Sequence, residues 1–237
     1  MVKMKFIIDK TIFEKFPDLN IGVIIAKGIN NSEGNDEIVK SIRAEEFEIR
    51  KNFDSQTLSQ HPKIDCWRKA YSLFGAKPKE NLSSVENLYK LVLKGAEVRQ
   101  INMLVDIYNL ACLKYMLPLG GEDLDKVQGD IKLTIAGANE SAVLLLGDKD
   151  ARHPHEGEVI YKDDISAICR RFNWREADRT KLTKETKNVI LVAEGLLPTT
   201  KEDIEKITNE LKQFVQKYCG GKIQLFILNK ANPQVEF

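Results

Sequence analysis

The chain lacks the signatures of several large enzyme classes. It has no GxxxxGK[ST] loop, no GxGxxG turn and no GxSxG elbow. P-loop nucleotide hydrolases, dinucleotide-binding Rossmann enzymes and α/β-hydrolases each need one of these to place a phosphate or a nucleophile. Paired cysteines are missing too. Cys66, Cys112, Cys169 and Cys219 stand far apart with no CxxC, which argues against a zinc ribbon or redox couple and fits reduced thiols in the cytoplasm. No stretch approaches the roughly 20 apolar residues that span a bilayer. The start, MVKMKFIIDK, scatters charges among its apolar residues and has no long signal-type apolar run. A surplus of one charge is also absent, with 36 Lys and Arg against 35 Asp and Glu. Any attraction to nucleic acid must therefore come from a local patch, acting over a screening length of about 8 Å.

What is present suffices for a sizeable core, since 43% of the 237 residues are hydrophobic. Without repeats, low-complexity tracts or a Pro/Ser linker, a single domain over 1–237 is expected. β-Branched runs at 4–10 and 21–28 predict strands. Helical spacing predicts helices over 33–53, 61–78, 85–94 and 101–116, with Ser83 or Ser84 as the cap of the third. After residue 128 short strands are expected at 130–137, 141–148, 157–164, 165–174, 187–196 and 222–230, with one helix over 199–221. Helices precede strands without a βαβα rhythm, which points to an α+β fold of mixed sheets packed with helices.

Four features carry potential chemistry. LPLGGEDLDKVQGDI (117–131) follows an apolar helix with two adjacent glycines and then acids. A plain turn needs one glycine. The doublet suggests a bend with close backbone approach to a ligand or a neighbouring strand. HPHE (153–156) brackets a proline, so its imidazoles lack the helical spacing of a zinc pair, and a polar loop with no metal is expected. ICRRFNWREADRTKLTKETK (168–187) holds seven basic residues (170, 171, 175, 179, 181, 184, 187) and three acids (176, 178, 185) from Arg170 on, a local net of +4. Phe172 and Trp174 are interleaved. Such a stretch either stacks a base while arginine holds phosphate, or is a solvated strand-loop with salt bridges and two core aromatics. Asn109 sits mid-helix among apolar neighbours, where it braces the next loop or faces a ligand. Asp106 lies a turn earlier, and Trp67 and Tyr71 are spaced for core packing.

Together these residues resemble a known family. VD-x-YN in a helix, LP-x-GGEDLD, GEV with an acidic turn and CRR-x-NWR form a set similar to the B3/B4 domain of the phenylalanyl-tRNA synthetase β subunit, and to free-standing B3/B4 proteins, over about residues 60–230. The resemblance implies a trans-editing deacylase that hydrolyses the ester joining a wrong amino acid to the 3′ end of a tRNA. It implies tRNA as partner; no DNA, membrane or cofactor is expected, the composition points to the cytoplasm, and a monomer is compatible with a sequence that does not set the oligomeric state. Asn109 to Asp125 match the loop that lines the editing pocket. Where bacterial synthetases carry a histidine, this chain has Gly120, so the synthetase's substrate does not carry over. The catalytic candidates are Gly120, Gly121, Glu122 and Asp123. The binding candidates are Asp106, Asn109, Asp125, Arg170, Arg171, Asn173, Trp174 and Arg175. Glu122 or Asp123 suits an α-ammonium or a polar, even cationic, side chain. The competing expectation is a non-catalytic module binding tRNA ends, an amino acid or another small molecule.

Overall fold

A computed structural model of the chain describes residues 3–31 and 34–237. The first strands, β1 (Lys5–Ile8) and β2 (Asn20–Lys27), lie where the β-branched runs predict them. Between them sits a helix that the sequence did not reveal, α1 (Lys10–Lys15). Six residues are too few for a helical period to show. Four helices follow: α2 (Asp36–Asn52), α3 (Pro62–Leu73), α4 (Ser84–Leu93) and α5 (Met103–Tyr115). Position 33, the predicted start of α2, lies outside the described residues. Proline opens α3, and Ser83 caps α4 by accepting the Glu86 N–H.

The remaining elements are β3 (Leu119–Asp123), β4 (Ile131–Ile135), β5 (Val159–Lys162), β6 (Ala167–Arg170), β7 (Arg175–Glu176), β8 (Asn188–Gly195), α6 (Lys201–Tyr218), β9 (Lys222–Leu228) and β10 (Gln234–Glu236). They build an α+β fold with two sheets. One is six-stranded and mixed, in the order β10-β1-β4-β5-β6-β7, with β1 and β4 parallel. The other is antiparallel, in the order β3-β8-β2-β9. Strand β2 has six consecutive buried residues. It lies between β8 and β9 with α6 packed against it so closely that a Cβ on Gly22 would come within 1.8 Å of Thr208 Oγ1. Among the described residues no helix is long and apolar enough to cross a membrane.

Three local expectations are corrected. Residues 141–148 form only isolated bridges, Val143 to Arg152 and Leu145 to Ala177. The strand expected over 165–174 breaks after Arg170, because Arg171 (φ 48°) and Phe172 (φ 66°) take the left-handed conformation. That reversal drives Phe172 into the core, edge-on to Trp67 at 5.1 Å. The double glycine is not a bend at all: both residues lie inside β3.

Arg170 anchors the reversal. Its guanidinium makes two bonds of 2.8 Å to Glu158, and both residues are buried. Glu158 also accepts the Arg171 backbone N–H at 3.2 Å. Removing one partner from such a pair leaves an uncompensated charge, which costs about 3–5 kcal/mol. Arg170→Ala is therefore expected to lower urea-unfolding stability by that amount, and the double variant Arg170→Met/Glu158→Leu to recover much of it. An unchanged midpoint in Arg170→Ala would show that the pair does not hold the reversal.

Candidate functional site

Strand alternation explains the glycine doublet. Gly120 pairs with Val192, Gly121 with Leu191 and Glu122 with Ile190. Paired residues in an antiparallel ladder share a face, and neighbours along a strand point to opposite faces. Gly120, Glu122, Ile190, Val192 and Glu194 thus form one face, while Gly121 and Leu191 belong to the other. The two glycines do different things. A Cβ on Gly121 would come within 2.4 Å of Leu191 Cδ2 and 2.8 Å of the Ile190 carbonyl, so its absence lets the core close. A Cβ on Gly120 would meet Glu176 Oε1 at 2.9 Å, so its absence leaves room for a carboxylate.

Above the Gly120 face lies a cavity of about 300 Å³. It sits between the two sheets and is flanked by α4 and α5; Phe6, Tyr108, Tyr161 and Trp174 supply much of its apolar wall. Three carboxylic acids line it: Glu122, Glu176 and Glu194. Burial raises all three above the usual carboxylate range. Glu176 is pushed up to about 7, against the opposing pull of the Gly121 N–H. Glu194 is also pushed up to about 7, although the Tyr161 hydroxyl and the Asn173 amide both donate to it and favour its ionised form. Glu122 is raised well above its ordinary value, first by burial and then by repulsion from Glu176, against the opposing pull of the nearby Thr180 hydroxyl and Arg179 charge. Its Oε2 has no hydrogen-bond partner among the described residues. Two carboxyls sharing an apolar site resist losing both protons. Cysteine chemistry is disfavoured here, because burial pushes Cys112 up to about 12 and Cys169 well above its ordinary value.

The sequence profile of the B3/4 domain matches residues 66–220, more than half of the chain. The chain belongs to the B3/4 domain family. It is 31% identical over 140 residues to the phenylalanine–tRNA ligase beta subunit of Fusobacterium nucleatum, covering 59% of this chain and 17% of that protein. It is 33% identical over 108 residues to the same subunit of Leifsonia xyli, covering 46% of this chain and 12% of that protein. The match thus spans less than a fifth of either relative's length. An N-terminal fragment of the phenylalanyl-tRNA synthetase beta-subunit from Pyrococcus horikoshii superposes with a TM-score of 0.45 at 15% identity, over 98% of this chain and 53% of that one.

In this B3/4 domain, Asn109, Gly120, Gly121, Glu122, Asn173, Trp174 and Arg175 all line the cavity. The other candidates lie elsewhere. Asp123 accepts the Asp125 N–H and the Thr186 hydroxyl, tying the end of β3 to the following loops. Asp125 is exposed and accepts from Asn188. Asp106 is buried at the start of α5, accepting the Ile101 N–H, and packs beside Gly34. Arg170 is held by Glu158. Arg171 donates to Asn81 at 2.7 Å and lies 4.2 Å from the centre of the Trp174 ring, outside the cavity wall. The basic stretch is largely neutralised by its own neighbours: Arg175 pairs with Asp148, Arg179 with Asp163 and Lys181 with Asp178.

Sequence reasoning missed Glu176, Glu194 and Ser84. Glu194 had a visible signal, a carboxylate inside the apolar run VILVAEG. Glu176 looked like one more charge in a charged stretch. Ser84 looked like a cap, but Ser83 caps α4, and the Ser84 hydroxyl is buried, lines the cavity and has no partner among the described residues.

The two glycines are expected to respond differently to alanine. Gly121→Ala should lower the melting temperature markedly, because backbone and Leu191 must move. Gly120→Ala should melt close to the wild type yet change the titration of Glu176, followed by carboxyl NMR. Equal destabilisation by both would contradict the division of roles.

Proposed function

We propose that this chain is an aminoacyl-tRNA deacylase acting in trans on mischarged tRNA, with the ester bound in the cavity beneath Trp174 and Arg175. The supporting observation is Glu194: a buried carboxylate with an ordinary neighbour at each oxygen, raised by its surroundings to about 7. A general base works best when its pKa lies near the working pH. The match to phenylalanine–tRNA ligase beta subunits supports tRNA as the partner and the cytoplasm as the place of action.

An aminoacyl ester is already activated, so positioning a water and stabilising the developing oxyanion suffice. Glu194, fixed by Tyr161 and Asn173, takes a proton from the water as its oxygen attacks the carbonyl carbon. The Ser84 hydroxyl and the Asn109 amide are the donors for the oxyanion. Collapse breaks the bond to the ribose oxygen, which recovers the proton from Glu194. The products are the free amino acid and a tRNA with its terminal hydroxyl restored. Trp174, with Arg171 and Arg175 at 4.2 and 5.4 Å from its ring centre, marks the side from which the terminal nucleotide approaches.

One observation favours the binding-only reading. Glu194 donates its N–H to Pro118 and Leu124 donates to Asn188, which puts the β3–β8 ladder bonds at even positions of β3. The Gly120 N–H then belongs to the ladder and the Gly121 N–H faces Glu176, so neither glycine is a free oxyanion donor.

A panel of mischarged tRNAs separates the two readings. The base must be ionised, so kcat/KM, corrected for spontaneous ester loss, is expected to rise about tenfold per pH unit below about 7 and level off above it. Glu194→Gln should lower kcat at least about 100-fold. Binding without ester loss on any tRNA would establish the non-catalytic reading instead.

A further inference from the structure

The acyl group that the cavity selects can be read from its charges, and this inference rests on the deacylase reading. We propose that the acyl group carries a positively charged side chain, received by the adjacent carboxylates of Glu122 and Glu176.

The cavity offers more carboxylates than an ordinary aminoacyl ester can use. Glu122 lies opposite Ile190, and Glu194 lies four residues further along the same face of β8. At about 3.3 Å per strand residue their Cα positions are about 13 Å apart, one toward each end of the floor. The Glu176 carboxylate stands over Gly120, between them. Glu194 already accepts from Tyr161 and Asn173. Glu122 is the reverse case: only 7% exposed, facing the cavity, with Oε2 lacking a partner among the described residues. Glu194 is committed to the attacking water, and the single α-ammonium that every aminoacyl ester carries neutralises at most one further acid. The Glu122–Glu176 pair is left one positive charge short.

Among the described residues no Lys or Arg is placed to supply it. Arg175 is the one Lys or Arg among the cavity-lining residues. Its guanidinium is engaged by Asp148 at 2.7 Å and by the Leu146 carbonyl at 2.7 Å. Arg179, whose charge is felt at Glu122, is held by both oxygens of Asp163 at 2.9 and 3.0 Å. A neutral apolar side chain in this position would cover the Glu122 oxygen and leave it unpaired. A site built around a polar group rejects the analogue that lacks the matching group far more strongly than an apolar pocket rejects a size variant. A side-chain ammonium or guanidinium would pair both acids and relieve their mutual repulsion.

The test uses one tRNA body acylated with lysine or arginine and, separately, with the neutral analogues norleucine or citrulline. Lysyl and arginyl esters are expected to be hydrolysed with kcat/KM at least tenfold above their neutral partners. Glu122→Gln and Glu176→Gln should each collapse that ratio toward one, with circular dichroism melts confirming that the variants fold. Equal or faster loss of the neutral esters would overturn the proposal while leaving the deacylase intact, as would a ratio that neither variant changes. If no ester is hydrolysed, the deacylase reading fails and the charge selection is read by calorimetry on the full chain. Lysinamide binding at least tenfold tighter than norleucinamide then supports it, and equal or absent binding overturns it.

Discussion

Three carboxylic acids facing one largely apolar cavity set the terms for the rest of this molecule. A carboxylate removed from water without a partner is strongly disfavoured, so the proton is retained instead. Glu122, Glu176 and Glu194 are all raised for that reason. The folded state therefore holds these protons more tightly than the unfolded chain does. For Glu176 and Glu194 the stability they confer is complete below about pH 4.5 and is lost as the pH rises through about 7. A fold that keeps such a cluster at neutral pH does so against its own stability, which is the pattern expected where a site serves a ligand.

The scaffold around the cluster is correspondingly rigid. Glu158 and Arg170 form a buried, doubly bonded pair that fixes the end of β6. Immediately afterwards Arg171 and Phe172 adopt left-handed backbone conformations that non-glycine residues seldom take. That strained reversal pins Phe172 in the core and turns Asn173, Trp174, Arg175 and Glu176 toward the cavity. On the opposite wall, Gly121 lets β3 pack against Leu191, and Gly120 leaves a gap that the Glu176 carboxylate fills. Core packing, backbone strain and buried charge thus converge on one place.

Much of this was legible in the sequence, and what was not has physical reasons. The amphipathic helices declared themselves by period and caps, as in Ser83 at the start of α4. The apolar β2 and β8 were visible as β-branched runs. The short elements α1, β7 and β10 were not, since a few residues carry no period. The glycine doublet was recognised as close backbone approach but misread as a bend, because a strand with two glycines has no strand propensity. Its true setting depends on β8, about seventy residues away. The motif set located one wall of the site through Asn109, Glu122, Asn173 and Trp174. It missed Glu176 and Glu194 because burial, not residue type, gives those acids their character. It included Arg170 because a charge in sequence gives no hint of a partner such as Glu158, which a turn brings opposite.

The most direct test of this account is a carboxyl-carbon NMR titration of the glutamates, assigned with Glu122→Gln, Glu176→Gln and Glu194→Gln. Midpoints near 7 are expected for Glu176 and Glu194, with Glu122 well above the ordinary value of 4.5. Titration of all three near 4.5 would mean that the acids face water, and the dry, charge-selective cavity on which the functional reading stands would not exist.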